Sequence, residues 1–153
     1  MENAASVLIQ FKDLGAAAAI CLAAVGSGLG TGAAGMSAVG AWKKCYAQSK
    51  AAPFLLLVFV GAPLTQTIYG LILMNNIAEA VSSGQFFWGI GILGGLAMGM
   101  SAWMQGKAGA GAADALAETG KGFVNYLIVL GIIESVALFV MAFLLGKVGM
   151  LAG

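Results

Sequence analysis

The stretch FVNYLIVLGIIESVALFVMAFLL, residues 123–145, decides the fold of this chain. It is apolar apart from a few positions, and one of these, Glu134, stands at its midpoint. The hydrocarbon core of a bilayer is about 30 Å thick, and a helix needs roughly 20 apolar residues to cross it. The stretch therefore predicts a transmembrane helix that carries a carboxyl group halfway across the membrane.

Three further stretches have the length and composition of membrane-spanning helices. We predict helix 1 over residues 14–42, helix 2 over 53–74, helix 3 over 86–117 and helix 4 over 123–145. The composition agrees, because 61% of the 153 residues are hydrophobic and only 8% are charged, whereas soluble domains carry about 25% charged residues. The chain is predicted to be an all-α integral membrane protein.

The four helices form two similar halves. Helices 1 and 3 are rich in glycine, and helices 2 and 4 hold most of the bulky side chains. Gln66 follows Leu55 at the same interval as Glu134 follows Phe123. An internal repeat of this kind predicts two tandem transmembrane hairpins, over residues 1–80 and 81–153.

The glycines predict close helix packing, because membrane helices associate largely through small residues. Gly28, Gly32 and Gly35 follow four- and three-residue spacing and so share one stripe of helix 1, which Gly26 and Gly30 widen. Such a smooth surface suits a helix crowded on the inside of a ring of copies. A packed four-helix monomer is the alternative.

The lysines predict the orientation in the membrane. Lysines occur in the connection between helices 1 and 2 and around the connection between helices 3 and 4, but not between helices 2 and 3. By the positive-inside rule the two lysine-bearing loops are cytoplasmic, and both termini face outward in a multi-pass protein of the cell membrane. The lysines concerned are Lys43, Lys44, Lys50, Lys107 and Lys121.

Composition also excludes several classes of function. The net charge of +1 leaves no basic surface for nucleic acid. The chain has no histidine and only two cysteines, which excludes a histidine-dependent catalytic triad and disfavours zinc, haem and iron–sulfur sites.

A polar face on helix 2 is predicted to lie at the depth of Glu134. A buried glutamate avoids the cost of a charge in lipid if it is protonated or binds a cation. The hydroxyl and amide oxygens of this face, together with the one carboxylate of Glu134, suit a small hard cation that carries a single positive charge. Tyr69 can donate its hydroxyl to the carboxylate. The helix 2 face carries Ala62, Thr65, Gln66 and Tyr69 at i, i+3, i+4 and i+7, and helix 3 adds Gln105.

These segments resemble a known family, the duplicated c/K-type proteolipid of V-type and A/V-type rotary ATPases. The resemblance rests on the glycine-rich segment 26–32, on PLTQTIYG at 63–70, on QGK at 105–107 and on IES at 133–135. The helix 2 and helix 3 segments most resemble the sodium-translocating bacterial branch. Ala62 and Leu64 depart from the residues usual there.

The resemblance implies a non-catalytic protein that forms a homo-oligomeric rotor ring in lipid. The ring would turn against a stator protein that supplies an arginine, and its cytoplasmic loops would meet the proteins of a central stalk. It further implies Na⁺ as the carried ion. The implied ligands are the Ala62 backbone carbonyl, Thr65, Gln66, Gln105 and Glu134, with Tyr69 bonded to the carboxylate.

Three other interpretations remain open from the sequence. The same rotor can be specific for protons, because a glutamate in an oxygen cage can also be protonated. A small four-helix secondary transporter also carries a membrane-embedded glutamate. A structural proteolipid that only forms a pore or junction would make no use of Glu134.

Overall fold

The computed structural model describes residues 14–81 and 85–152, which form four long helices. The helices are α1 (Leu14–Ala47), α2 (Leu56–Ala80), α3 (Trp88–Thr119) and α4 (Phe123–Ala152). No β-strand occurs in these two ranges, so the all-α prediction is confirmed. The predicted outward-facing amino terminus falls on residues 1–13, outside the described residues.

Each helix ends later than the sequence predicts, because the prediction stopped where the apolar run stops. A helix continues past the membrane surface until a backbone signal ends it. Gly120 has φ +66° and donates its N–H to the Leu116 carbonyl at 2.8 Å, which ends α3. Ser49 has φ +55° just beyond α1. In α2, burial of Ile77 and Ala80 extends the helix past the predicted end.

Three of the four helices are apolar and long enough to cross a membrane, namely α1, α2 and α4. The 32 residues of α3 are also sufficient in length, but glycines and Gln105 lower its apolar character. Because α1 covers its glycine face, α3 does not need large apolar side chains on that side to contact lipid. The chain is therefore a multi-pass membrane protein, with at least three helices that can cross the membrane.

Helices α1 and α3 run parallel and meet backbone to backbone. A Cβ added to Gly26 would overlap the backbone of Gly99, and one added to Gly106 would overlap the backbone of Gly30. Glycine is therefore required at these crossings, as small-residue packing in membranes predicts. At one end of this interface the Lys44 Nζ lies 3.1 Å from an Asp114 carboxylate oxygen.

The intrachain packing stripe differs from the one that the sequence suggested. A Cβ on Gly28 or Gly32 would have no neighbour within 4 Å, and one on Gly35 would only touch the Val60 side chain at 3.7 Å. The three glycines do share a helix stripe, but within one chain Gly28 and Gly32 are open. The face formed by Gly26 and Gly30 makes the close contacts instead.

Helix α2 changes its winding at Pro63. Its first part, Leu56–Gly61, passes through a 3₁₀ turn, Ala62–Leu64, into Thr65–Ala80. Proline has no N–H, so the regular bond to the Phe59 carbonyl cannot form. A short 3₁₀ segment is a usual consequence of such an interruption. The turn brings the Ala62 carbonyl next to the Thr65 hydroxyl, at 3.1 Å.

Candidate ion-binding site

Both carboxylate oxygens of Glu134 accept hydrogen bonds from neighbouring helices. Tyr69 of α2 donates its hydroxyl to Oε1 at 2.8 Å. Gln105 of α3 donates its Nε2 to Oε2 at 3.2 Å and to the Leu130 carbonyl at 3.0 Å. Glu134 is half-buried. A carboxylate has about four acceptor positions, so these two bonds orient it and leave acceptor capacity for an ion.

Two fully buried glutamines join α2 to α3 at the same depth. Gln66 and Gln105 are each 0% exposed, and Gln66 Nε2 donates to Gln105 Oε1 at 2.8 Å. The Thr65 hydroxyl lies 3.2 Å from Gln66 Oε1. A continuous chain of hydrogen bonds therefore leaves α2 at Thr65, crosses α3, reaches Glu134 and returns to α2 at Tyr69.

All six residues singled out in the sequence thus lie in one network. The helical spacing placed Ala62, Thr65, Gln66 and Tyr69 on one face, and the structure brings that face to Gln105 and Glu134. The side chains differ in one respect from the ligand set that the resemblance implies. Gln105 turns its Nε2, and not its Oε1, toward Glu134, because carboxylate oxygens attract donors.

Three oxygens cluster around Thr65. Its Oγ1 lies 3.1 Å from the Ala62 carbonyl oxygen and 3.2 Å from Gln66 Oε1. Hard cations such as Ca²⁺ hold oxygens at about 2.3–2.6 Å, so neighbouring ligands at right angles lie roughly 3.3–3.7 Å apart. The two observed separations are slightly shorter, as expected for hydrogen bonds. Within residues 14–81 and 85–152, no three acidic or cysteine side chains gather as a metal site.

One further residue reaches the site and was not singled out in the sequence. The Ser101 hydroxyl donates to the Ile133 carbonyl of α4 at 2.8 Å. The signal was available, since Ser101 lies four residues before Gln105 and therefore on the same face of α3. A serine in a glycine-rich helix is usually interpreted as a small packing residue, and its acceptor on α4 depends on tertiary structure.

The second hairpin carries the similarity to a known family. Residues 88–145 match the family model of the ATP synthase C-subunit. The match covers α3 and most of α4, and it includes Gln105 and Glu134. Proteins of this family are non-catalytic, ion-translocating components of the membrane rotor ring. No curated protein matches the chain.

The match covers less than half of the chain, and the first hairpin lies outside it. Thr65, Gln66 and Tyr69 of the first hairpin nevertheless bond, directly or through one another, to side chains of the matched segment. The network therefore extends beyond the matched part of the chain, and each hairpin supplies part of it.

Proposed function

We propose that the chain is an ion-carrying component of the membrane rotor ring of a V-type (A/V-type) rotary ATPase, in which Glu134 carries Na⁺. The single observation that supports this most is the hydrogen-bond network that surrounds the Glu134 carboxylate. The network supplies one negative charge together with hydroxyl, amide and backbone carbonyl oxygens, and such oxygen ligands suit hard cations.

In this proposal Glu134 takes up one ion from a half-channel in the stator. The carboxylate and the ion together are electrically neutral, which lowers the cost of passing through lipid. A stator arginine then displaces the ion into the opposite half-channel. One charge that crosses 100 mV carries about 2.3 kcal/mol, and the ring would convert this energy into torque or run in reverse.

The duplicated arrangement is also part of the proposal. Gln66 stands at the place in the first hairpin that Glu134 occupies in the second, so two hairpins share one ionisable carboxyl at this depth. A ring of such chains moves fewer ions per helix than a ring of single hairpins. Such a ratio favours pumping against a steep gradient.

A proton-specific rotor is the second candidate, and one observation favours it. Gln105 presents its amide nitrogen to Glu134. An amide nitrogen is not a ligand for a cation, and a carboxyl that only exchanges protons needs no such ligand from α3. Sodium binding through Gln105 Oε1 instead requires the amide to rotate. Gln66 donates to that same Oε1, so the two amides would have to reorient together.

The two candidates are distinguished by replacing both glutamines at once. In Gln66→Leu/Gln105→Leu the mutual hydrogen bond loses both partners, which avoids leaving one of the two amides unpaired. We expect a sodium rotor to lose at least tenfold in sodium affinity while it retains proton-driven turnover. The measurement is ²²Na⁺ and proton transport by the assembled complex in proteoliposomes, with Ser37→Ala as the control variant.

If sodium transport by the double variant keeps its normal concentration dependence, the assigned ligands are wrong. If neither the wild-type complex nor the double variant transports sodium but both transport protons, the proton-specific rotor replaces the sodium rotor.

A further inference from the structure

The backbone of α4 is held next to Glu134 by a second residue of α3. The Ser101 hydroxyl donates to the Ile133 carbonyl at 2.8 Å. That carbonyl belongs to the peptide group whose nitrogen is the backbone nitrogen of Glu134. Ser101 is only 6% exposed, so water has little access to its hydroxyl.

Gln105 restrains the same segment from one turn further along α3. It donates to the Leu130 carbonyl at 3.0 Å, which is the regular α-helical acceptor for the Glu134 N–H. Ser101 and Gln105 therefore bond to two backbone carbonyls of α4 that lie three residues apart, both in the turn that leads into Glu134. Two such bonds fix both the height and the rotation of this part of α4, where one bond would leave rotation free.

Apolar packing covers only part of the surface of α4. Among residues 123–152, the fully buried ones are Leu130, Ala137 and Val148, so most of the helix surface is open. Helix α3, which packs against α4, is rich in glycine, and glycine has no side chain that can interlock with a neighbour. In lipid, apolar contact with a neighbouring helix competes with equally apolar lipid tails, so hydrogen bonds gain importance.

We infer that Ser101 is a positioning residue for the ion-carrying carboxylate. By holding the Ile133 carbonyl, it sets α4 so that Glu134 reaches the Tyr69 hydroxyl and the Gln105 amide at the same time. Ser101 does not touch the ion. It acts on ion affinity through the geometry of Glu134, so the inference rests on the proposed ion-carrying role of that residue.

The test compares Ser101→Ala with Ser37→Ala in the purified ring. Ser37 makes the same type of bond, from its hydroxyl to the Ala110 carbonyl at 2.6 Å, and also joins two helices. Ser37 lies on α1 and its acceptor lies on α3, so this bond does not involve α4, which carries Glu134. The readout is the rate at which a carbodiimide labels Glu134, measured by peptide mass spectrometry at several sodium concentrations and pH values.

We expect Ser101→Ala to need about three- to tenfold more sodium than wild type for half-maximal protection, which corresponds to one lost interhelical hydrogen bond. Ser37→Ala should match wild type. If sodium does not change the labelling rate of the wild-type ring, the proposed sodium role is wrong. The labelling rate at fixed pH then becomes the readout for Ser101, with the same expected difference between the two variants. Equal behaviour of Ser101→Ala and Ser37→Ala in both readouts overturns the positioning role.

Discussion

Glu134 is the residue on which the proposed function depends. A charged side chain at the centre of a bilayer costs about 2.5–3.5 kcal/mol on insertion scales. The structure reduces this cost through two donors, the Tyr69 hydroxyl at 2.8 Å and the Gln105 amide at 3.2 Å. Neither donor neutralises the charge, which is why a cation or a proton is still required.

Removal of the carboxylate should stop transport without breaking the ring. Glu134→Gln keeps the size of the side chain and loses the charge, so we expect transport to fall to background while the ring assembles normally. Ion transport in membrane vesicles and ring size on a native gel measure the two effects. Glu79→Gln, which removes an acid at the far end of α2, is the control. Transport by Glu134→Gln would contradict the mechanism.

The Tyr69 hydroxyl should contribute measurably to ion affinity. Tyr69→Phe removes one hydrogen bond to the carboxylate and retains the packing of the aromatic side chain. Hydrogen bonds to charged groups contribute about 1.5–3 kcal/mol, so we expect sodium affinity to fall roughly tenfold or more. Tyr46→Phe is the matched control, because Tyr46 is 70% exposed at the end of α1. Equal sodium affinities for the two variants would mean that Tyr69 plays no part in binding.

At this scale the sequence predicted positions better than orientations. Helical spacing alone put Thr65, Gln66 and Tyr69 on one face, and the structure places that face against Glu134. The direction of the Gln105 amide could not be predicted, since its two ends have nearly the same shape and the choice depends on partners from two other helices. The bond from Ser101 to α4 was missed because its acceptor is on another helix and depends on tertiary structure.

At the scale of helices, glycine decides which surfaces meet. The sequence predicted close packing correctly but could not distinguish the face of Gly26 and Gly30 from that of Gly28 and Gly32. All four residues lie within two turns of α1, and only the position of α3 makes the first pair indispensable. The open second pair is a surface that a neighbouring copy in the proposed ring could approach closely.

A single added methyl group should separate the two kinds of glycine. The Cβ of Gly26→Ala overlaps the Gly99 backbone, whereas that of Gly40→Ala meets nothing within 4 Å. Alanine favours the helix equally in both variants. We expect Gly26→Ala to lose about 1–3 kcal/mol from overpacking and Gly40→Ala to be unchanged or slightly more stable. Denaturant unfolding in detergent, followed by circular dichroism, measures this difference, and equal stability of the two variants would contradict the packing.

For the whole molecule, the two hairpins pack as one bundle through the parallel pair α1 and α3. The predicted all-α membrane fold is confirmed, and the match to the ATP synthase C-subunit covers most of the second hairpin. The hairpin division at residues 80 and 81, the outward-facing termini, the ring and its stator and stalk partners stay predictions. Loop charge predicts orientation only relative to a membrane, and a ring depends on contacts between copies, so neither follows from the fold of one chain.

The most direct test of the central claim is carbodiimide labelling of Glu134 in the purified ring, with sodium or potassium, across a range of pH. Carbodiimides react with the protonated carboxyl group, so an ion bound at the site protects it. The proposed function predicts that millimolar sodium slows labelling at fixed pH and that potassium does not. Labelling that responds to pH alone, and equally in both salts, would contradict sodium binding and leave a proton-carrying rotor.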